Sequence, residues 1–218
     1  MAKRSKSSQR WLNRQKRDYF AGAARREGRV SRAHFKLAQL DERFGLVAPD
    51  CWILELGAAP GGWTAYLAER LAQGRVVAVD PLPVAAPSAR VEVIAGRFGD
   101  EAVASRVEAI LGASGRSPLV DLVLSDMAPN ISGVRAADQA RAMDLAELAA
   151  EATDRWLAPG GALVIKLMQG EGVDAWIKAA REAFDQVSVV KPTASRAESR
   201  EVYAVAQGYR AQGFPGVQ

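Results

Sequence analysis

From residue 51 onward, short apolar runs alternate with longer stretches whose apolar residues recur at helical spacing. Cys51–Leu56 (CWILEL) reads as a buried strand, followed by a glycine-rich turn and a helix through Leu71. Arg75–Val79 (RVVAV) predicts a second strand ending at Asp80, and Val91–Ile94 a weaker third with a helix from about Gly99 to Leu111. Leu119–Leu124 (LVDLVL) is the fourth, ending at Ser125-Asp126. A long helical pattern over Ala137–Leu157 leads through Pro159-Gly160-Gly161 to a fifth strand, Ala162–Leu167. A helix over Val173–Phe184 and two β-rich stretches, Val187–Val190 and Glu201–Ala206, complete the pattern. Upstream, Ser31 is placed to cap a helix from Arg32 to Phe44, with Phe35, Leu37, Leu40 and Phe44 as its apolar set and Gly45 at its end.

Strand–helix alternation calls for an α/β fold: a doubly wound, mostly parallel, seven-stranded sheet with helices on both faces. The last two strands are joined only by residues 191–200, too short for a crossover helix, so one strand at that end is expected to run antiparallel. Ligands of such sheets bind at the carboxyl ends of the strands, near the switch in strand order.

Composition sharpens this picture in three ways. No apolar run in the 218 residues approaches a bilayer span, and the basic stretch Met1–Arg10 lacks the apolar core of a signal peptide. The single cysteine, Cys51, excludes an intramolecular disulfide and a Cys-rich metal site, which fits a reducing, cytoplasmic setting. The net charge of +4 is unevenly spread: residues 1–36 carry twelve Lys or Arg against Asp18 and Glu27, and the remainder is acidic. We therefore divide the chain into a basic, partly disordered arm (1–30), a catalytic-type domain (31–208) and a short tail (209–218). Such an arm suits a polyanion, with Trp11, Tyr19 and Phe20 available to stack on bases; a plain solvated tail is the alternative.

The candidate chemistry falls at strand ends. Glu55-Leu56-Gly57-Ala58-Ala59-Pro60-Gly61-Gly62-Trp63 follows the first strand and opens a helix, where glycines admit a ligand close to the backbone and free N–H groups point outward. It departs from the dinucleotide G-x-G-x-x-G pattern. Asp80, 23 positions after Gly57, ends the second strand where a carboxylate can accept both ribose hydroxyls of an adenosyl ligand. Asp126 ends the fourth strand in Ser125-Asp126-Met127-Ala128-Pro129-Asn130. There is no Asn/Asp-Pro-Pro-Tyr run for an exocyclic amine and no Pro-Cys nucleophile for a pyrimidine carbon. Cys51 lies at the wrong end of its strand and reads as a small buried hydrophobe. His34, the only histidine, cannot make a metal site alone and reads as an RNA contact or a packed residue.

On these residues the sequence resembles the FtsJ/RrmJ family of large-subunit ribosomal RNA methyltransferases. The resemblance runs through Ser31-Arg32-Ala33-His34-Phe35-Lys36-Leu37, the L-G-A-A-P-G-G-W turn, Ser125 to Asn130, Lys166 with Gln169-Gly170-Glu171-Gly172, and Ser195-Arg196 through Ser199-Arg200-Glu201-Val202-Tyr203. It implies a Rossmann-like methyltransferase fold, S-adenosyl-L-methionine as cofactor, and a Lys-Asp-Lys-Glu tetrad at Lys36, Asp126, Lys166 and Glu201. It also implies cofactor contacts at Gly57, Gly61, Trp63, Asp80 and Asp126. The family often has Gly-Asp-Phe after the third strand; here Gly96-Arg97-Phe98-Gly99-Asp100 puts Arg97 in the place of that carboxylate. The implied reaction is 2′-O-methylation of a uridine ribose in 23S ribosomal RNA, within the large subunit, by a monomer that needs no metal and no membrane. Transfer or messenger RNA is the alternative acceptor, and a non-catalytic RNA-binding module is the rival of another class. A NAD-dependent oxidoreductase is disfavoured by the G-A-A-P-G-G turn.

These residue types suit the reaction. The sulfonium already activates the methyl, so the protein has only to position a weakly acidic hydroxyl and take its proton. Two lysines and a sulfonium in one cleft disfavour one another's charge, which points to Lys166, at the end of the apolar run Ala162-Leu163-Val164-Ile165, as general base.

Overall fold

The computed structural model describes residues 20–215 except 21, 25, 86, 114, 116 and 197. Trp11, Tyr19 and most of the expected arm therefore lie outside the described residues. The elements in chain order are α1 (Ala33–Phe44), β1 (Trp52–Leu56), α2 (Gly62–Arg70), β2 (Arg75–Asp80), β3 (Val91–Ala95), α3 (Glu101–Gly112) and β4 (Val120–Ser125). They are followed by α4 (Arg135–Trp156), β5 (Leu157–Met168), α5 (Val173–Ala183), β6 (Phe184–Val190) and β7 (Glu201–Tyr209). The sheet is seven-stranded in the order β3-β2-β1-β4-β5-β7-β6. Strands β1 to β5 pair in parallel, while β7 runs antiparallel to both β5 and β6. The expected doubly wound sheet with a reversed final strand is what the chain forms.

Period-two alternation splits each central strand between two cores. Trp52, Leu54 and Leu56 of β1, with Val202, Ala204 and Ala206 of β7, face the layer of α3, α4 and α5. Ile53 of β1, with Tyr203 and Val205 of β7, faces α1 and α2. Against the first layer, α4 presents Ala146, Ala149, Ala150 and Ala152, all buried, which lets the long helix lie close on the strands.

The boundaries differ from expectation where side-chain burial overrides local pattern. Strand β5 starts at Leu157 rather than Ala162: Leu157 pairs with Val120, and the register shifts between Val120 and Leu122 to absorb the Pro159-Gly160-Gly161 bend. Strand β6 starts at Phe184, because its ring is buried against Tyr209, its partner across the ladder, at 5.2 Å between centroids. The exposed Asp185 and Gln186 that follow had masked this start.

Helix α1 carries the change that bears on function. It begins one residue later than expected, with Ser31 Oγ accepting the Ala33 N–H at 3.2 Å. Its buried face is His34, Lys36, Leu37 and Leu40, so two polar residues occupy places the apolar pattern had given to Phe35 and Phe44. The far end is fixed by Asp41, whose Oδ1 accepts the Leu46 and Val47 N–H groups and whose Oδ2 accepts the Tyr66 hydroxyl at 2.7 Å. That carboxylate ties α1 to α2 and so sets where Lys36 points. Among the described residues no helix is long and apolar enough to cross a membrane, and no group of His, Cys, Asp and Glu is arranged to hold a metal ion.

Candidate active site

The carboxyl ends of β1, β2 and β4 are stitched together by main-chain bonds. The N–H groups of Gly57 and Ala58 donate to Val79 O, and the Asp126 N–H donates to Leu56 O at 3.0 Å. Gly57 has φ 76°, and a Cβ there would come within 2.7 Å of Met127 N. Glycine is required at this position because the loop after β4 crosses directly over the turn after β1. At Asp80, Oδ2 accepts the Ala59 N–H at 2.9 Å and Oδ1 the Leu82 N–H at 2.8 Å. The carboxylate thus has one acceptor position on each oxygen engaged and others free.

Gly61 (φ 106°) leads into α2, whose first-turn N–H groups, those of Gly62, Trp63 and Thr64, have no intrahelical acceptor. The Trp63 indole is buried 5.8 Å from the Tyr203 ring, and its Nε1 has no hydrogen-bond partner among the described residues. What Trp63 can offer a ligand at the turn is its main chain rather than its ring. After β3, Arg97 and Asp100 are exposed, and the Asp100 side chain makes no capping bond to α3.

Strand register brings the basic residues together. Lys166 of β5 is the cross-strand partner of Tyr203, and Glu201 lies two residues before Tyr203 on β7. The three side chains therefore share one face, the face that α1 covers with Lys36. Lys36 Nζ lies 2.8 Å from Glu201 Oε1, and Lys166 Nζ lies 3.0 Å from Asp126 Oδ1. Between these ion pairs stands the Tyr203 hydroxyl, which donates to Asp126 Oδ1 at 2.8 Å and accepts from Lys36 Nζ at 3.1 Å. Lys166 Nζ also donates to the main-chain carbonyl of Asp126. All four residues expected to form a tetrad meet in one cluster of ion pairs and hydrogen bonds. The two-lysine repulsion assumed from sequence is balanced within it, because each lysine faces its own carboxylate.

Burial is the largest influence on the Glu201 carboxyl and would raise it, but the charge and hydrogen bond of Lys36, with Ser195 and Lys166, together outweigh this and hold it below the usual range. Tyr203 is pushed well above its ordinary value by burial and then by the neighbouring Asp126 carboxylate, so it remains a hydrogen-bond donor.

Three participants carried no assigned role in the sequence reading. Tyr203 stood in the quoted motif, and its period-two relation to Glu201 was the signal for it. Gln139, buried in the first turns of α4, donates from Nε2 to Met168 O and Glu171 O and accepts from Arg200. Arg200 also donates to Gln169 O, so the ends of β5 and β7 are pinned to α4. Nothing in spacing marked this triangle.

The third is Glu55, fully buried beneath the glycine turn and accepting the Thr64 hydroxyl at 2.8 Å. Burial raises its carboxyl to about 8, partly offset by the Thr64 hydrogen bond. The folded protein thus keeps a proton that the unfolded chain releases near pH 4.5. Stability contributed by this group falls as pH rises from about 5 to 8, by up to about 1.4 kcal/mol per pH unit. Urea unfolding across this window should give Glu55→Gln a flatter stability–pH curve than the parent chain; parallel curves would exclude a protonated Glu55.

His34 is buried, with its ring edge-on to Tyr66 at 5.2 Å, and burial lowers its imidazole below the ordinary value. It is a packing residue of the α1–α2 interface.

The model of the FtsJ-like methyltransferase family matches residues 29–209. A protein of Stenotrophomonas maltophilia (strain K279a) called ribosomal RNA large subunit methyltransferase E is 51% identical over 212 residues, covering 97% of this chain and 99% of its own. Its namesake in Xanthomonas oryzae pv. oryzae (strain PXO99A) is 50% identical over 213 residues, with the same coverage. Among solved structures, a ribosomal RNA methyltransferase of Plasmodium falciparum superposes with a TM-score of 0.73 at 24% identity, covering 82% of this chain and 97% of that one, which speaks to the fold alone.

Proposed function

Because the chain belongs to the FtsJ-like methyltransferase family, we propose that it methylates the 2′-hydroxyl of a uridine ribose in 23S ribosomal RNA of the large subunit, using S-adenosyl-L-methionine, in the cytoplasm. Support for the RNA target comes from the near-full-length relatives whose name states large-subunit ribosomal RNA. Support for a hydroxyl acceptor comes from the lysine-rich tetrad and from the absence of the motifs that serve base nitrogen or carbon.

The residues at the strand ends fit the cofactor. Asp80 retains acceptor capacity for ribose hydroxyls, and the first turn of α2 offers main-chain donors for a carboxylate, favoured there by the helix dipole. Gly61 keeps the turn open, with nothing nearer than 3.6 Å to the place a Cβ would occupy. When bound, S-adenosylmethionine supplies a methyl group already activated by its sulfonium.

The observation that carries the reading is the setting of Lys166 Nζ, held by two oxygens of Asp126, the main-chain carbonyl and Oδ1. A neutral amine has two N–H donors and one lone pair. Two donors directed to Asp126 leave the lone pair for the acceptor hydroxyl. Lys166 takes the 2′-hydroxyl proton as the oxygen becomes nucleophilic. Asp126 orients the amine, and Tyr203 and Lys36 with Glu201 fix Asp126.

The test is to incubate the protein with methyl-labelled S-adenosylmethionine and either deproteinised 23S RNA or isolated large subunits, then map the label. One labelled ribose 2′-oxygen is the expected result. Label on a base, or none in either substrate, would overturn the proposal.

A further inference from the structure

We propose that the turn at residues 130–134 is a wedge whose exposed Ile131 and Val134 side chains pack on an unstacked nucleobase of the substrate RNA; this rests on the RNA reading above. Among the described residues, Leu82, Ile131 and Val134 are the large apolar side chains more than 60% exposed, and two of the three sit on this turn. Their exposure is not that of a loose loop. Asp138 of α4 accepts the Ser132 N–H at 2.8 Å and the Ser132 hydroxyl at 2.7 Å on Oδ1, and the Gly133 N–H at 3.1 Å on Oδ2. Ser132 Oγ accepts the Val134 N–H, and Arg141 donates to Asn130 O while pairing with Asp138 at 3.2 Å. The turn is braced from inside, so its two apolar side chains are held away from the body, where they have no apolar cover.

Position and charge say what covers them. The turn begins four residues after Asp126, and α4, which braces it, is joined to the other side of the tetrad through Gln139 and Arg200, next to Glu201. An acceptor ribose delivered to Lys166 brings its own base and its neighbours to this rim. The helix that follows the turn is cationic there: Arg135, next to Val134, is exposed, and so is Arg141, whose guanidinium reaches Asn130 O at the turn's start. An apolar tip beside arginines matches an RNA strand, with phosphates meeting the cations and a base face meeting the aliphatic groups.

The experiment uses a large-subunit RNA fragment that the parent chain methylates, with 2-aminopurine beside the methylated nucleotide. The parent chain should raise 2-aminopurine emission on binding, as the base leaves its stack. Ile131→Ser/Val134→Ser should lose that rise and increase KM for the RNA about ten-fold. Its kcat at saturating RNA should stay within two-fold, and its cofactor affinity, melting temperature and salt slope should be unchanged. The milder Ile131→Ala/Val134→Ala pair should show the same effects in smaller measure. The proposal is overturned if KM and emission match the parent's. It is also overturned if the change weakens only action on assembled subunits and not on the naked fragment, or abolishes a concentration-dependent dimer in sedimentation. A parent chain that methylates no RNA would instead sink the functional reading.

Discussion

Lys166→Ala will lower methyl transfer to large-subunit RNA by at least about 10²–10⁴-fold, the usual worth of a positioned general base, while cofactor affinity stays within a few-fold of the parent's. The separation follows from the geometry. Lys166 reaches Asp126 and the face shared with Tyr203, whereas the groups proposed to hold the cofactor, Asp80 and the first turn of α2, are held by their own bonds to Ala59, Leu82 and Gly61. Lys166→Arg discriminates between a base and a fixed positive charge. The guanidinium keeps the charge and can still meet Asp126, but it does not give up its proton in proteins. It should be as inactive as the alanine variant. Recovery of activity in the arginine variant would mean that Lys166 acts only by its charge. Single-turnover measurement with cofactor and RNA both saturating reads the chemical step directly. Tyr203→Phe makes the contrast: it removes the bridge between Asp126 and Lys36 but no proton acceptor, so its loss in the same assay should be nearer ten-fold.

The parts of this arrangement that could be read from the sequence are those that local chemistry dictates. Buried parallel strands show as unbroken apolar runs, so β1, β2 and β4 were legible, and with them the strand ends that carry Gly57, Asp80 and Asp126. Lys166 was legible because a lysine directly after Ala162–Ile165 sits at the end of a buried strand. What was not legible depends on contacts distant in sequence. The start of β6 at Phe184 is decided by Tyr209, and the start of β5 at Leu157 by Val120. Helix α1 is the instructive case. Its sequence presents Phe35 and Phe44 as apolar, yet the face turned inward includes His34 and Lys36, because the ring of His34 packs on Tyr66 and the amine of Lys36 finds Glu201 and Tyr203 across the chain. A buried lysine is tolerated only with such partners, and no periodicity along α1 announces them. Glu55 is similar: the pattern identifies a strand residue, and only the three-dimensional surroundings, sealed and facing Asp126 and Asp80, make it an acid that keeps its proton.

Removing residues 1–19 will flatten the salt dependence of RNA binding more than any point substitution in the body. We propose that this segment is the main phosphate-binding part of the expected arm: it carries Lys3, Arg4, Lys6, Arg10, Arg14, Lys16 and Arg17 against the single acid Asp18. The cut is placed before residue 20 because Ala23 and Ala24 are buried and Arg29 pairs with Glu69 of α2. Deletion to residue 30 would strip packed residues from α1 and α2 and confound binding with stability. Each phosphate contact adds about 0.7–0.9 to the slope of log affinity against log salt. If roughly four of the seven cations engage phosphates, the intact chain's slope should be steeper by about 3, so a four-fold rise in salt weakens it about 10²-fold more than the truncated chain. Cofactor affinity and kcat at saturating RNA should be untouched, because the tetrad and the glycine turn are built entirely from residues after 31. Equal slopes for the two chains would mean that these seven cations meet no phosphate, and the affinity would then have to come from arginines of the folded body such as Arg135, Arg141 and Arg196.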